Sequence, residues 1–210
     1  MYDLTQPFTD GMQAYPGDPP VDLSPAASFE TDGYRVMQLQ CGSHSGTHVD
    51  APAHTEPDGK SLSAFDIDRF VSDAVLIDCR DIGDREPIPP SRVPQSDADC
   101  VVFHTGWDEY WGTDRYLDHP YLAPETADRC AADGYDIGTD TLSPDPTPSS
   151  KATDDEPSGF SAHHALLGAS RLVFENLTGL ERLPQRFELR AYPLALGGDG
   201  APVRAVGVMD

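Results

Sequence analysis

The chain is short of positive charge. Its 210 residues hold 14 Lys or Arg against 36 Asp or Glu, a formal net charge of −22. Lysine occurs only at Lys60 and Lys151. A non-specific nucleic-acid binder needs a cationic surface to displace counterions, so the balance argues against that class. Binding to an anionic membrane surface is disfavoured on the same ground. No apolar run approaches the roughly 20 residues that span a bilayer. Residues 1–7 lack the basic and apolar regions of a signal peptide, so the expectation is a soluble, cytoplasmic protein. Cysteine is scarce too. Cys41, Cys79, Cys100 and Cys130 show no Cys-x-x-Cys spacing, and most lie in or beside apolar segments, which predicts buried free thiols.

Hydrophobic residues make up 38% of the chain and are spread along it, enough for a sizeable core. We expect a single domain over residues 1–210. Of the acids, 27 are Asp and 9 are Glu, and they form no long block. An acidic tail for a basic partner would be concentrated. Scattered Asp with almost no Lys reads as surface adaptation to high salt, where self-repulsion is screened.

The pattern along the chain is mostly that of strands. Residues 2–5 read as a strand followed by a Pro- and Gly-rich loop. Residues 35–41 alternate, with Met37, Leu39 and Cys41 apolar and Gln38 and Gln40 polar. Residues 74–78 and 100–104 are short β-branched runs that suit buried strands. Residues 124–132 predict a helix with Pro near its start and Gly134 near its end. Residues 135–138 predict another strand. Residues 140–159 are polar, hold four prolines and read as a long loop. Residues 161–169 predict a helix with Ser161 as N-cap. Residues 171–177, 186–196 and 203–208 predict strands. The class is mixed α and β around a substantial sheet or barrel.

One constellation is dense. Three of the seven histidines fall in the stretch Ser43-His44-Ser45-Gly46-Thr47-His48-Val49-Asp50-Ala51-Pro52-Ala53-His54. His44, His48, Asp50 and His54 are all even-numbered. In an extended chain that spacing puts all four on one face. In a helix, positions 48 and 50 would be about 200° apart, and the Gly and Pro oppose a helix in any case. Imidazole and carboxylate are ligands of catalytic zinc, manganese and iron. Such an ion makes water nucleophilic near neutral pH. A fourth group nearby can move protons. His44, His48 and Asp50 are candidate ligands and His54 is the candidate proton shuttle.

This stretch resembles the motif of the cyclase family of metal-dependent hydrolases, which includes bacterial-type kynurenine formamidase (arylformamidase) and isatin hydrolase. Further segments resemble the family in the same order: Asp3-Leu4-Thr5, Tyr15-Pro16-Gly17-Asp18, Thr105-Gly106-Trp107, residues 138–145, His163-His164-Ala165-Leu166-Leu167 and Glu175-Asn176-Leu177. The resemblance implies a compact swivelling β/α fold of the α/β class, with a barrel-like central sheet, a few flanking helices and a dimeric or larger assembly. It implies that His44, His48 and Asp50 hold one metal ion. It further implies that Asp50 bridges to a second ion held by His163 and Glu175, with His163 preferred over His164 for its spacing from Glu175. His54 falls on the catalytic histidine. The implied cofactor is zinc, two per chain, with manganese as the other candidate. The implied substrate is a small aromatic amide such as N-formylkynurenine, cleaved to kynurenine and formate, or a cyclic amide of the isatin type with one metal. Tyr15, Trp107, Tyr110, Trp111 and Phe160 are candidates for an aromatic lining. His104 reads as a strand-end hydrogen-bonder and His119 as a loop residue. The rivals are a non-haem iron oxygenase using His48, Asp50 and a distant His, and a metal-binding protein without turnover.

Overall fold

The computed structural model describes residues 1–209. In chain order its strands and helices are β1 (Tyr2–Asp3), β2 (Asp22–Ala27), α1 (Phe29–Asp32), β3 (Val36–Gln40), β4 (His48–Asp50), β5 (Val71–Asp78), β6 (Pro87–Ile88), β7 (Cys100–His104), β8 (Tyr121–Leu122), α2 (Pro124–Asp133), β9 (Asp136–Thr139), α3 (Ser161–Gly168), β10 (Val173–Glu175), β11 (Arg186–Pro193) and β12 (Gly200–Val208). The main sheet runs β12-β11-β5-β7-β9-β10-β4 and closes because β4 also pairs with β12, giving a seven-stranded barrel with β1 on its rim. β5, β7, β9 and β10 are mutually parallel; the other pairings are antiparallel.

The parallel strands are apolar on both faces, as parallel strands covered on both sides must be. In β7, Val101 and Phe103 point outward to α2 and α3, where Ala127, Cys130, Ala162, Leu166 and Leu167 meet them. Cys100 and Val102 point inward, among Ala74, Phe174, Leu189, Ala191, Ala201 and Ala205. Cys79, Cys100 and Cys130 are buried and Cys41 is half-buried, all as free thiols.

Helix α2 has Pro124 at its first turn and ends on Gly134 in the left-handed region at φ 85°, the asymmetry its sequence predicts. The start of α3 differs from expectation. Ser161 is the first helical residue, not the cap. Phe160 precedes it in the left-handed region at φ 58° and offers no capping group. The cap comes from across the loop: Asp145 Oδ1 accepts from Ala162 N at 2.8 Å and Oδ2 from His163 N at 3.0 Å. A carboxylate there satisfies orphan N–H groups and meets the positive end of the helix.

Residues 35–41 do form a strand, β3, but not one that faces the core. It pairs only with β2, and every one of its residues is exposed. The alternation there leaves Met37 and Leu39 in solvent rather than inside. β2 itself begins within the first 25 residues, in the Pro- and Gly-rich stretch read as a loop.

Candidate metal centre

The His-rich stretch is extended only at its centre. His44 lies in a turn, His48 and Asp50 lie on β4, and His54 ends a 3-10 turn formed by Pro52–His54. Gly46, at φ 64°, makes the bend that swings His44 back over β4. The four side chains converge by this folding back rather than by lying on one face of one strand.

Asp50 is at the centre and fully buried. Its Oδ1 lies 2.6 Å from His44 Nδ1 and 3.3 Å from His48 Nε2. Its Oδ2 lies 3.4 Å from His163 Nε2. Glu175, at the end of β10, reaches His48 Nε2 at 3.1 Å and His163 Nε2 at 3.2 Å. The register explains this: Glu175 sits directly opposite His48 in the antiparallel β4–β10 pair, so both side chains share one face. Three triads follow: the buried His44–His48–Asp50 and Asp50–His163–Glu175, which share Asp50, and the more exposed His44–His54–Asp199, which joins the first through His44.

The far nitrogen of each of three imidazoles is held. His48 Nδ1 donates to Gly46 O at 2.8 Å. His163 Nδ1 lies 2.7 Å from Asp145 Oδ2. His44 Nε2 lies 2.9 Å from Asp199 Oδ2. His48 and His163 each turn Nε2 to the carboxylates; His44 turns Nδ1. This is how protein matrices orient imidazoles around a cation.

The residues fit a divalent cation. Asp50 Oδ2 and Glu175 Oε1 are buried and make no well-formed hydrogen bond; the nitrogen beside them, His163 Nε2, stands at 3.4 and 3.2 Å out of line. A buried carboxylate oxygen left so poorly paired is costly, and a cation between the two buried triads removes that cost. The titration of the groups says the same. Burial alone would lower His48 and His163, yet Asp50, Asp145 and Glu175 hold both well above the usual imidazole range. Burial would raise Asp50, yet His48 and His44 hold it well below the usual carboxylate range. The carboxylates thus outweigh burial and draw positive charge, a proton or a cation, to the imidazoles.

His54 is placed differently. Its ring lies 3.9 Å from that of His44 and 5.6 Å from that of His163, centre to centre. Burial lowers its pKa, the neighbouring imidazoles add to this, and Asp50 opposes it. It is therefore neutral near pH 7 and able to accept a proton. Its Nδ1 faces Asp199 Oδ2 at 3.4 Å.

A solvent-open cleft of about 590 Å³ lies over the cluster, lined by His44, His48, His54, His163 and Glu175 together with Tyr15, Asp18, Leu142, Ser143 and Phe160. Of the five aromatic candidates for a lining, Tyr15 and Phe160 line it. Trp107, Tyr110 and Trp111 instead pack with Tyr116 in a cluster behind the cleft wall, which it meets through Leu142 and Tyr15. His164 faces away, paired with Glu56 at 2.8 Å. His104 ends β7, and its carbonyl accepts from Cys79 N. His119 lies in the loop between residue 118 and β8, as expected, but it is buried there. It is 1% exposed and bonded on both nitrogens, to Pro120 O and Thr147 Oγ1.

A seven-stranded barrel with this His, Asp and Glu cluster in an open cleft defines a recognisable class. The family described as putative cyclase matches residues 2–146. A kynurenine formamidase of Salinibacter ruber is 33% identical over 217 residues, covering 98% of this chain and 96% of that one. A second kynurenine formamidase, of Erythrobacter litoralis, is 30% identical over 98% of this chain and 92% of its own. Among solved structures, isatin hydrolase A of Ralstonia solanacearum superposes with a TM-score of 0.82 at 25% identity, over 99% of this chain and 91% of that one. The chain belongs to the cyclase family.

Proposed function

We propose that this chain is a divalent-metal-dependent hydrolase of a small aromatic amide, of the arylformamidase type, cleaving N-formylkynurenine to kynurenine and formate. The observation that carries the metal is the pair of triads sharing Asp50, with two buried carboxylate oxygens lacking a well-formed hydrogen bond. The full-length similarity to kynurenine formamidases supports the substrate. His44, His48 and Asp50 would hold one cation, and Asp50, His163 and Glu175 a second, with zinc the first candidate and manganese the other. When bound, such ions supply a Lewis acid for the carbonyl oxygen and make water nucleophilic near neutral pH.

The chain's own groups do the rest. Tyr15 and Phe160 flank the cleft, their rings 6.2 Å apart, and present apolar faces to an aromatic substrate. His54 is the one imidazole of the cluster with no carboxylate contact closer than 3.4 Å. It takes a proton from the attacking water and returns it to the departing nitrogen as the C–N bond breaks. The water oxygen ends in formate and the proton on the amine.

We further read residues 1–210 as one cytoplasmic, salt-adapted domain. No helix among the described residues is long and apolar enough to cross a membrane. We also infer a homodimer or higher oligomer, supported by the β2–β3 hairpin. It carries Val36, Met37 and Leu39 in solvent, and a lone two-stranded hairpin is marginal in water.

The test is elemental analysis of protein purified without chelator, followed by formate release from N-formylkynurenine. Two zinc or manganese ions per chain with formate release is the expected result. One ion per chain with activity on isatin alone would replace the formamidase reading with that of a cyclic-amide hydrolase. No metal after reconstitution would refute the metal centre.

A further inference from the structure

The mechanism above uses five ligand candidates and His54, but the contacts of His44 and His54 meet at a residue that it does not use. Asp199 stands in the turn that leads from β11 into β12, 155 residues from His44 in sequence and 145 from His54. One oxygen, Oδ2, lies 2.9 Å from His44 Nε2 and 3.4 Å from His54 Nδ1. The other, Oδ1, accepts from Ser43 Oγ at 3.3 Å.

The backbone that carries Asp199 is fixed from both sides. Its carbonyl accepts from Ala51 N at 2.8 Å, next to Asp50. The Gly198 carbonyl accepts from Leu62 N at 2.9 Å. Gly200 is paired with Asp50 across β4 and β12. The side chain is partly exposed, but its anchor is as rigid as the strand that bears Asp50.

Resting on the metal-dependent hydrolase reading, we propose that Asp199 is a positioning residue that holds His44 and His54 on a single carboxylate oxygen. Toward His44 it accepts the Nε2 proton, which fixes the tautomer and leaves Nδ1, the nitrogen beside Asp50, as the ligand atom. Toward His54 it accepts the Nδ1 proton, which leaves Nε2 free to receive and return a proton over the cleft. The two imidazoles, 3.9 Å apart, are thereby locked relative to each other. Asp199 is not among the residues that line the cleft.

The experiment compares wild type with Asp199→Asn, each stripped and reloaded with zinc, by competition with a chromogenic chelator and by steady-state hydrolysis of N-formylkynurenine. Asn keeps the shape but weakens acceptance from two N–H groups. Expected is zinc binding weaker by about 10- to 100-fold with unchanged stoichiometry at saturation, and kcat lower by about tenfold or more with little change in KM. Two cycles separate positioning from general loss of structure. In a His54→Ala background the Asn substitution should leave kcat unaltered. In a His44→Ala background it should leave zinc affinity unaltered. Additive effects in both cycles would overturn the proposal, as would Asp199→Asn binding and turning over like wild type. One ion fewer per chain at saturation would make Asp199 a ligand and likewise overturn it. If Asp199→Asn does not fold, Ser43→Ala, which releases only Oδ1, should shift zinc affinity in the same direction, and no shift overturns the proposal. A wild-type chain that takes up no zinc defeats the hydrolase reading as well; active wild type beside an unaffected variant defeats this proposal alone.

Discussion

His119 should make this fold sensitive to mild acid. Its imidazole is 1% exposed, with Nδ1 2.8 Å from Pro120 O and Nε2 2.7 Å from Thr147 Oγ1. A carbonyl can only accept, so Nδ1 carries the proton and Nε2 accepts from the threonine. Burial pushes this histidine down to about 4. Between pH about 6.5 and about 4 the unfolded chain therefore binds a proton that the folded chain refuses. Stability is complete above the unfolded value and is lost as pH falls toward the folded one. A displacement of about 2.5 units at ~1.36 kcal/mol each amounts to about 3 kcal/mol. For a chain of this size that is roughly 6–12 °C in melting temperature. The assay is denaturant unfolding of wild type and His119→Gln at pH 7, 5.5 and 4. Glutamine keeps a partner for Thr147 but cannot be protonated. Wild type should lose about 3 kcal/mol more than the variant over that range. Parallel curves would refute the reasoning, because the carboxylates that also titrate there are common to both proteins.

His54→Ala should retain its metal and its melting temperature while losing about 10²- to 10⁴-fold in kcat, the usual contribution of general acid–base catalysis; metal analysis and initial rates check it, and undiminished turnover would remove His54 from the reaction. Gly200→Ala should disturb the centre without touching a ligand, because a Cβ there would lie 2.5 Å from His44 Cε1. Its expected signs are weaker metal binding and a lower melting temperature, and wild-type affinity would show that the His44 ring yields freely. With 36 acidic against 14 basic residues, the melting temperature should climb as salt rises from about 0.1 M, where charges interact over about 10 Å, to molar salt, where they do so over about 3 Å. A flat profile would speak against salt adaptation.

Much of the candidate centre is legible in the sequence because three of its five candidate ligands, with His54, are crowded into one short stretch. Even spacing marks His44, His48, Asp50 and His54 as a group, although the group is built by a bend at Gly46 and a turn at Pro52 rather than by one straight strand. Glu175 announces itself as a carboxylate among apolar neighbours on what reads as a buried strand. Asp199 gives no such signal. It lies in a Gly-rich turn among many scattered aspartates, and only the pairing of β12 with β4 brings it to His44. Asp145 is similar, since its role in capping α3 and in holding His163 depends on a loop folding back over 17 residues. Alternation at Met37 and Leu39 identifies β3 but not its surroundings, because period two says which residues share a face and nothing about what covers that face.

The barrel closes through β4, a strand of three residues that pairs with β10 on one side and β12 on the other. Two of those three residues, His48 and Asp50, belong to the candidate metal centre, and Glu175 stands across one of the two joints. A three-residue strand offers few ladder hydrogen bonds, so a cation gripped from both sides of that joint acts as a rivet in the seam. Occupancy would then govern how often the barrel gapes as well as whether it reacts. Amide exchange along β4 and β10 should slow when the ion is present, while the β5–β7 pair on the far side of the barrel keeps its own pace.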